Sequence, residues 1–299
     1  MIPLFTSVPP NFSRLQPDGR DLGNEYAVKC IRSWRASGFE PVTVNSSNEI
    51  LADVINAENI ACIAVRRDAS QQFGRPLIFL GDFISAACSY NMSGPVVITN
   101  ADILLDMSDS IYQKIKNMQP GQCFVAKRYD IETMDSRKGI EYGLGYDFFA
   151  FHSEDLKNFA CDDFVMGLPW WDHYLPVWMY LRGLQQLPIH EKFIFHLHHT
   201  ERWDFEKWVT LGGSFLKKVG AVSDNGMDFP GPFRSYVDMV ASEIKKQKNG
   251  LKGHTKAALQ ELTRSGRLEK KIQILHKVAN ANVKWLDSMR ESTSLVSTK

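Results

Sequence analysis

The sequence lacks any run of about 18 uninterrupted apolar residues, so hydropathy gives no candidate membrane-spanning helix. It lacks a Cys-x-x-Cys pair. Its five cysteines, Cys30, Cys62, Cys88, Cys123 and Cys161, are odd in number and mostly lie in apolar stretches. That pattern predicts buried, reduced thiols. It lacks a dominant charge: the net value is +1, which argues against nucleic acid as a partner. Met1 to Pro10 carries no basic segment followed by an apolar run, so no secretory signal is expected there and the sequons at Asn11, Asn45 and Asn91 are read as chance matches. A cytoplasmic setting follows as the expectation. Three phosphate or nucleophile signatures are also missing: Gly-x-x-x-x-Gly-Lys-[Ser/Thr], Gly-x-Gly-x-x-Gly after the first strand, and Gly-x-Ser-x-Gly.

What is present is an ordinary globular balance, 44% hydrophobic and 23% charged over 299 residues, enough for one large α/β domain or two modest ones. Charge is unevenly placed. Lys245 to Lys299 holds 13 Lys/Arg against 4 Asp/Glu, which makes this segment a candidate peripheral contact for an anionic membrane surface.

Short apolar runs alternate with helical patterns. Strands are expected at Ile2–Val8, Pro41–Val44, Ile60–Val65, Pro95–Thr99 and Gln122–Lys127. Helices are expected at Asp21–Ser37, Glu49–Ala57, Pro76–Tyr90 and Ser108–Asn117. The alternation predicts a mostly parallel sheet with helices on both faces. Ligands of such sheets lie beyond the carboxyl ends of the strands, so polar residues just after strands carry most weight. Further on, Tyr146–Phe151, Gln186–Ile189 and Lys192–Leu197 read as strands, and Trp171–Arg182 and Trp203–Leu216 as helices. Beyond Phe229 the pattern is helical. We expect a domain over 1–228 and a helical extension over 229–299.

Three constellations stand out. The buried strand Pro95–Thr99 runs directly into Asn100-Ala101-Asp102, where a carboxylate at the sheet mouth suits a hard divalent cation. Phe195-His196-Leu197-His198-His199 puts three imidazoles near a strand end, and imidazole is a metal ligand; strand alternation would set His196 and His198 on one face, whereas a turn beginning there would present His199 instead. Trp170-Trp171-Asp172 places an acid at a helix start, where it serves either as a cap or as a general base. The indole rings suit an apolar sugar face. Asp147, inside an aromatic strand, is the competing acid, because a buried charge must be paired or used. Thr6 and Asn45 end strands and suit a base or ribose, or simply turn chemistry. Arg66, Arg67 and Arg75 suit phosphate oxygens, or surface ion pairs.

Over roughly residues 1–215 the sequence resembles the GT-A glycosyltransferases. The resemblance is carried by Ile2–Ser7, by Cys30–Trp34 with Gly38–Glu40 and Val42–Asn45, by Phe73–Leu77, and by Asn100-Ala101-Asp102. That last motif stands where the family has Asp-x-Asp, with its first acid replaced by Asn100. The resemblance implies a GT-A (Rossmann-like) fold and a nucleotide-sugar donor. It implies Mn²⁺ or Mg²⁺ held by Asp102 and one of His196, His198 and His199, with Asn100 on the donor. It also implies transfer to an acceptor hydroxyl of a glycan or glycolipid. Thr6, Asn45, Arg66 and Arg75 are then donor-binding candidates. Trp170 and Trp171 are acceptor-binding candidates, and Asp172, ahead of Asp147, is the base. A glycine-rich pyrophosphorylase signature is absent near the N-terminus. Two other readings stand beside this one: a metal-dependent hydrolase built on His196 and His198, and a glycan-binding protein without chemistry on the same fold.

Overall fold

A computed structural model describes residues 1–16, 18–90, 93–188, 191–199, 204–224, 272–273 and 275–288 of the chain. Its elements are β1 (Ile2–Thr6), α1 (Gly23–Ala36), β2 (Phe39–Ser46), α2 (Asp53–Asn56), β3 (Ala61–Val65), α3 (Ser70–Phe73), α4 (Leu80–Tyr90), β4 (Pro95–Thr99), β5 (Leu104–Leu105) and α5 (Asp109–Lys116). They continue with β6 (Gln122–Ala126), β7 (Tyr129–Ile131), β8 (Ile140–Glu141), β9 (Phe148–His152), α6 (Trp171–Leu181), β10 (Gln185–Gln186), β11 (Ile194–Leu197) and α7 (Phe205–Asp224).

The protein is a mixed α/β fold. Among the described residues, the main sheet has the order β10-β6-β9-β4-β1-β2-β3. All its neighbours pair in parallel except β9, which is antiparallel to both β4 and β6. The expected mostly parallel sheet is therefore present, with one reversed strand inserted. β1 is buried along its whole length, which is why it reads as an unbroken apolar run rather than an alternating one. Helix α1 lays Tyr26, Ala27, Cys30, Ile31 and Trp34 into the core, the i, i+4, i+8 stripe that its sequence spells. Gly38 then turns the chain into β2 at φ +89, and a β-carbon there would press on the Tyr112 ring. Only glycine meets both demands.

A second, smaller sheet, β5-β11-β7-β8, was not expected from the sequence. Its β11 falls within the expected strand Lys192–Leu197, but β5, β7 and β8, of two or three residues each, are too short to leave a period. β11 pairs parallel with β7 and antiparallel with β5, and the core packs Leu104, Ile131, Phe193, Phe195 and Leu197 together with Phe148 of the main sheet.

Helix α4 starts at Leu80 rather than at Pro76. Phe79 bridges to Val165, and the amides of Leu80 and Gly81 donate to the carbonyls of Phe164 and Cys161. Long-range pairing thus takes the segment that local proline chemistry would have given to the helix. Four cysteines are buried as expected, whereas Cys62 is exposed, because β3 presents alternate residues to solvent at the sheet edge.

The described residues up to 199 form one compact unit, and those from 204 onward belong to a second. In the second unit, α7 and a helix over 275–288 bring the Trp208 ring to 4.8 Å from that of His276. Most of the expected C-terminal extension, including its boundary at 228 and much of the basic segment, lies outside the described residues. Among the described residues no helix is long and apolar enough to cross a membrane.

Candidate active site

Leaving β1, the chain builds outward to β2 and β3 and then returns to β4 on the other side of β1. Such a switch point opens a crevice at the carboxyl ends of the two central strands. Thr6 ends β1 here, and Asn100 follows β4. Because β9 is reversed, with Phe148 beside Thr99, its leading residue Asp147 arrives at the same edge. Arg128 arrives there too, just after β6. Thr6 Oγ1 is fully buried and has no hydrogen-bond partner among the described residues.

The loop after β4 is held by α1. The Tyr26 hydroxyl donates to the Asp102 carbonyl at 2.8 Å and accepts from the Leu197 amide at 2.7 Å. Trp34 Nε1 donates to the Ile103 carbonyl at 2.7 Å, and the Leu105 amide donates to Ser33 Oγ. One helix face thus fixes Asp102 and the end of β11 together. In the β11–β7 register His196 lies beside Asp130. Its Nδ1 is 2.9 Å from Asp130 Oδ1, and its Nε2 is 3.3 Å from Asp102 Oδ2. Burial pulls the His196 imidazole toward neutrality, but Asp102 and Asp130 together outweigh that and raise its pKa. Burial likewise opposes ionisation of Asp102, and His196 with Arg14 still holds that carboxyl well below the usual carboxylate range.

Asp102, His196 and His199 each offer one ligand atom, all within 4.8 Å of one another. His198, which strand alternation had paired with His196, is not in the cluster. β11 ends at Leu197, and His198 is exposed with its amide bonded to the Ile131 carbonyl. The set of one carboxylate and two imidazoles fits a divalent transition ion. It fits Mg²⁺ less well, because Mg²⁺ prefers oxygen. Asp130 on His196 Nδ1 is the outer-shell carboxylate that commonly orients a ligand histidine.

Asn100 does something other than contact a metal. Its Nδ2 donates to Asp147 Oδ1 at 2.6 Å. Arg128 Nη1 reaches the same carboxylate at 3.2 Å, and its Nε reaches Asp130 at 2.9 Å. Asp147 is therefore a paired buried acid, and its charge is already used. Arg128 lies over the Tyr142 ring at 4.0 Å. It joins the Asp147 side of the edge to the Asp130–His196–Asp102 side.

Asp172 sits in the first turn of α6, after Trp170 in a left-handed conformation at φ 80, an uncommon state for a bulky residue. Burial raises the Asp172 pKa; His173 opposes this, and the Asp147 charge adds to it. The carboxylate packs against Gly145, where a β-carbon would overlap Asp172 Oδ2. An acid of raised pKa beside the crevice has the properties of a general base.

The other expected residues take these places. The rings of Trp170 and Trp171 are 1% and 2% exposed, so they form core rather than an open platform for a sugar. Trp171 packs on Phe149, and Trp170 on His173. Asn45 is buried and engaged internally. It accepts from Thr43 Oγ1 at 2.5 Å and donates to the Val8 carbonyl and to Glu49, tying β2 to the loop after β1. Arg66 and Arg75 are exposed on loops, whereas Arg67 is held by Asp82 and Asp162. Sequence reasoning missed Arg14, Tyr26, Arg128 and Asp130. Of these, only Arg128 and Asp130 carried a signal, as polar residues directly after β6.

No family profile matches the sequence, and a search of curated proteins finds no match. Several solved structures are similar. HddC from Yersinia pseudotuberculosis, complexed with GMP-PN, is 12% identical at TM-score 0.36, covering 67% of this chain and 91% of HddC. An assigned glucose-1-phosphate thymidylyltransferase from Bacillus anthracis, in complex with a sucrose, is 11% identical at TM-score 0.37, covering 78% and 99%. A UDP-glucose pyrophosphorylase complexed with UDP-glucose is 13% identical at TM-score 0.32, covering 73% and 100%. At such scores the likeness does not reach activity.

Proposed function

We propose that the chain transfers a sugar from a nucleoside-diphosphate sugar to an acceptor hydroxyl, with a divalent ion of the Mn²⁺ type at Asp102, His196 and His199. The observation that carries this reading is the convergence of those three side chains, Asp102 from the loop after β4 and the two imidazoles from the end of β11. When bound, the ion supplies charge neutralisation for a diphosphate leaving group. Thr6 Oγ1, buried and unpartnered, suits a polar donor atom. Asp172 takes the acceptor proton, its raised pKa making it a stronger base than an ordinary carboxylate.

Transfer of a glycosyl group is favoured over transfer of a nucleotidyl group by the segment after β1. A phosphate cradle is made of successive free backbone N–H groups. Here Pro9 and Pro10 have none, and the Val8 amide is bonded to Thr43 Oγ1. The hydrolase reading loses support because its second ligand, His198, lies outside the cluster. The glycan-binding reading gives no reason for a convergent metal site. The acceptor we propose is a glycan or glycolipid, reached with the help of the basic C-terminal segment at an anionic membrane surface.

The test is thermal stabilisation by a panel of nucleoside-diphosphate sugars with Mn²⁺. A ligand at 100 times its Kd stabilises the folded state by about 2.7 kcal/mol. One member of the panel should raise Tm in the wild type, and much less in Asp102→Ala. Stabilisation by no nucleotide would reject the donor.

A further inference from the structure

Arg14 lies in the loop after β1, and its Nη2 forms an ion pair with Asp102 Oδ2, the oxygen that also faces His196 Nε2. The guanidinium stands over the rings of Phe12 and Tyr26, at 4.8 and 5.9 Å, and Nη1 donates to the Ser13 carbonyl. Its Nε is buried with no hydrogen-bond partner among the described residues. The backbone beneath it is fixed. Asp21 accepts from the Arg14 amide at 2.7 Å, from Ser13 Oγ at 2.7 Å and from the Gly23 amide at 2.9 Å, and the Leu22 amide returns to the Arg14 carbonyl. A fixed backbone carrying a long cationic side chain permits one motion, the swing of the guanidinium.

Resting on the metal-site reading above, we propose that Arg14 is a built-in competitor for the metal and a donor-responsive gate on it. A divalent cation and the Arg14 guanidinium are rival partners of one carboxylate oxygen. A diphosphate offers Arg14 a better geometry, since its planar fork matches phosphate oxygens and would satisfy the orphaned Nε as well. Diphosphate drawing Arg14 away exposes Asp102 to the ion, so ion and diphosphate bind with positive coupling. By linkage that coupling is reciprocal.

The experiment is Mn²⁺ titration of the full chain, followed by the loss of the free-ion electron paramagnetic resonance signal, with and without inorganic pyrophosphate, each titration referred to a protein-free one at the same pyrophosphate concentration. Wild type, Arg14→Gln, Arg14→Lys and Asp102→Asn are compared, and each is checked for folding by its thermal melt. The expected result is Mn²⁺ affinity about tenfold tighter in Arg14→Gln than in wild type without pyrophosphate, within the usual range for coupled sites. The gap should narrow when pyrophosphate is present, with Arg14→Lys intermediate and Asp102→Asn abolishing binding. Equal or weaker Mn²⁺ binding by both Arg14 variants, with Asp102→Asn still abolishing it, overturns the gate and leaves the metal site standing. Mn²⁺ binding that Asp102→Asn does not change overturns both. If Arg14→Gln fails to fold, Arg14→Met, which keeps an apolar stem over Phe12 and Tyr26 and lacks the charge, decides by the same sign.

Discussion

His196 and Asp130 lie side by side across the β11–β7 pairing, with Nδ1 and Oδ1 2.9 Å apart. That bond occupies one ring nitrogen and leaves the other, Nε2, facing Asp102 at 3.3 Å. Asp130 and His196, far apart in sequence, meet because a three-residue and a four-residue strand pair in one register, and the same bond turns His196 Nε2 toward Asp102.

Replacing Asp130 with Asn should weaken Mn²⁺ binding by roughly 10–100-fold, the usual effect of losing an outer-shell carboxylate, while the fold is kept. Isothermal titration with Mn²⁺ checks this. An unchanged affinity would mean that Asp130 does not orient His196.

Tyr26→Phe removes one hydroxyl that serves two buried backbone groups, the Asp102 carbonyl and the Leu197 amide. Leaving them unpaired should cost about 1–3 kcal/mol of stability. Urea unfolding measures this as a lower midpoint with unchanged slope. A variant as stable as the wild type would show that the α1 staple is not needed.

Asp172 gives a pH signature with a definite sign. Its folded pKa is raised, from 3.8, by burial first and by the Asp147 charge in addition. The folded state therefore holds this proton more tightly than the unfolded state does. The group costs no stability below the ordinary value, and it costs progressively more as pH rises through the raised one. Asp172→Asn should gain on the wild type as pH rises from about 4 and then hold a constant advantage, seen in urea midpoints at successive pH values. The same variant should lose transfer while retaining donor-induced stabilisation. A stability difference that does not grow with pH would show that the carboxyl is not strained by burial.

The sequence made the central strands and the position of Asp102 legible, because fully buried strands read as apolar runs and a polar residue directly after one is a local signal. The reversed strand β9 was hidden, since Tyr146–Phe151 has the same composition in either direction. With it was hidden the meeting of Asn100, Asp147 and Arg128. Arg14 had no local mark at all: its partner is 88 residues away. Trp170 and Trp171 misled because an aromatic pair before an acid looks the same whether it lines a cleft or fills the core. His198 misled because alternation holds only while the strand lasts, and β11 stops at Leu197. Asn45 sits at a strand end as expected, but its partners come from the neighbouring loop, which no spacing rule displays.

The most direct measurement is product analysis of nucleoside-diphosphate sugars incubated with Mn²⁺ and a panel of glycan acceptors, comparing wild type with Asp102→Ala. Metal-dependent sugar transfer predicts release of the nucleoside diphosphate with a sugar added to an acceptor, abolished by a chelator and by Asp102→Ala. Formation of nucleoside triphosphate and sugar phosphate from the same donors and pyrophosphate, with no sugar reaching any acceptor, would contradict it.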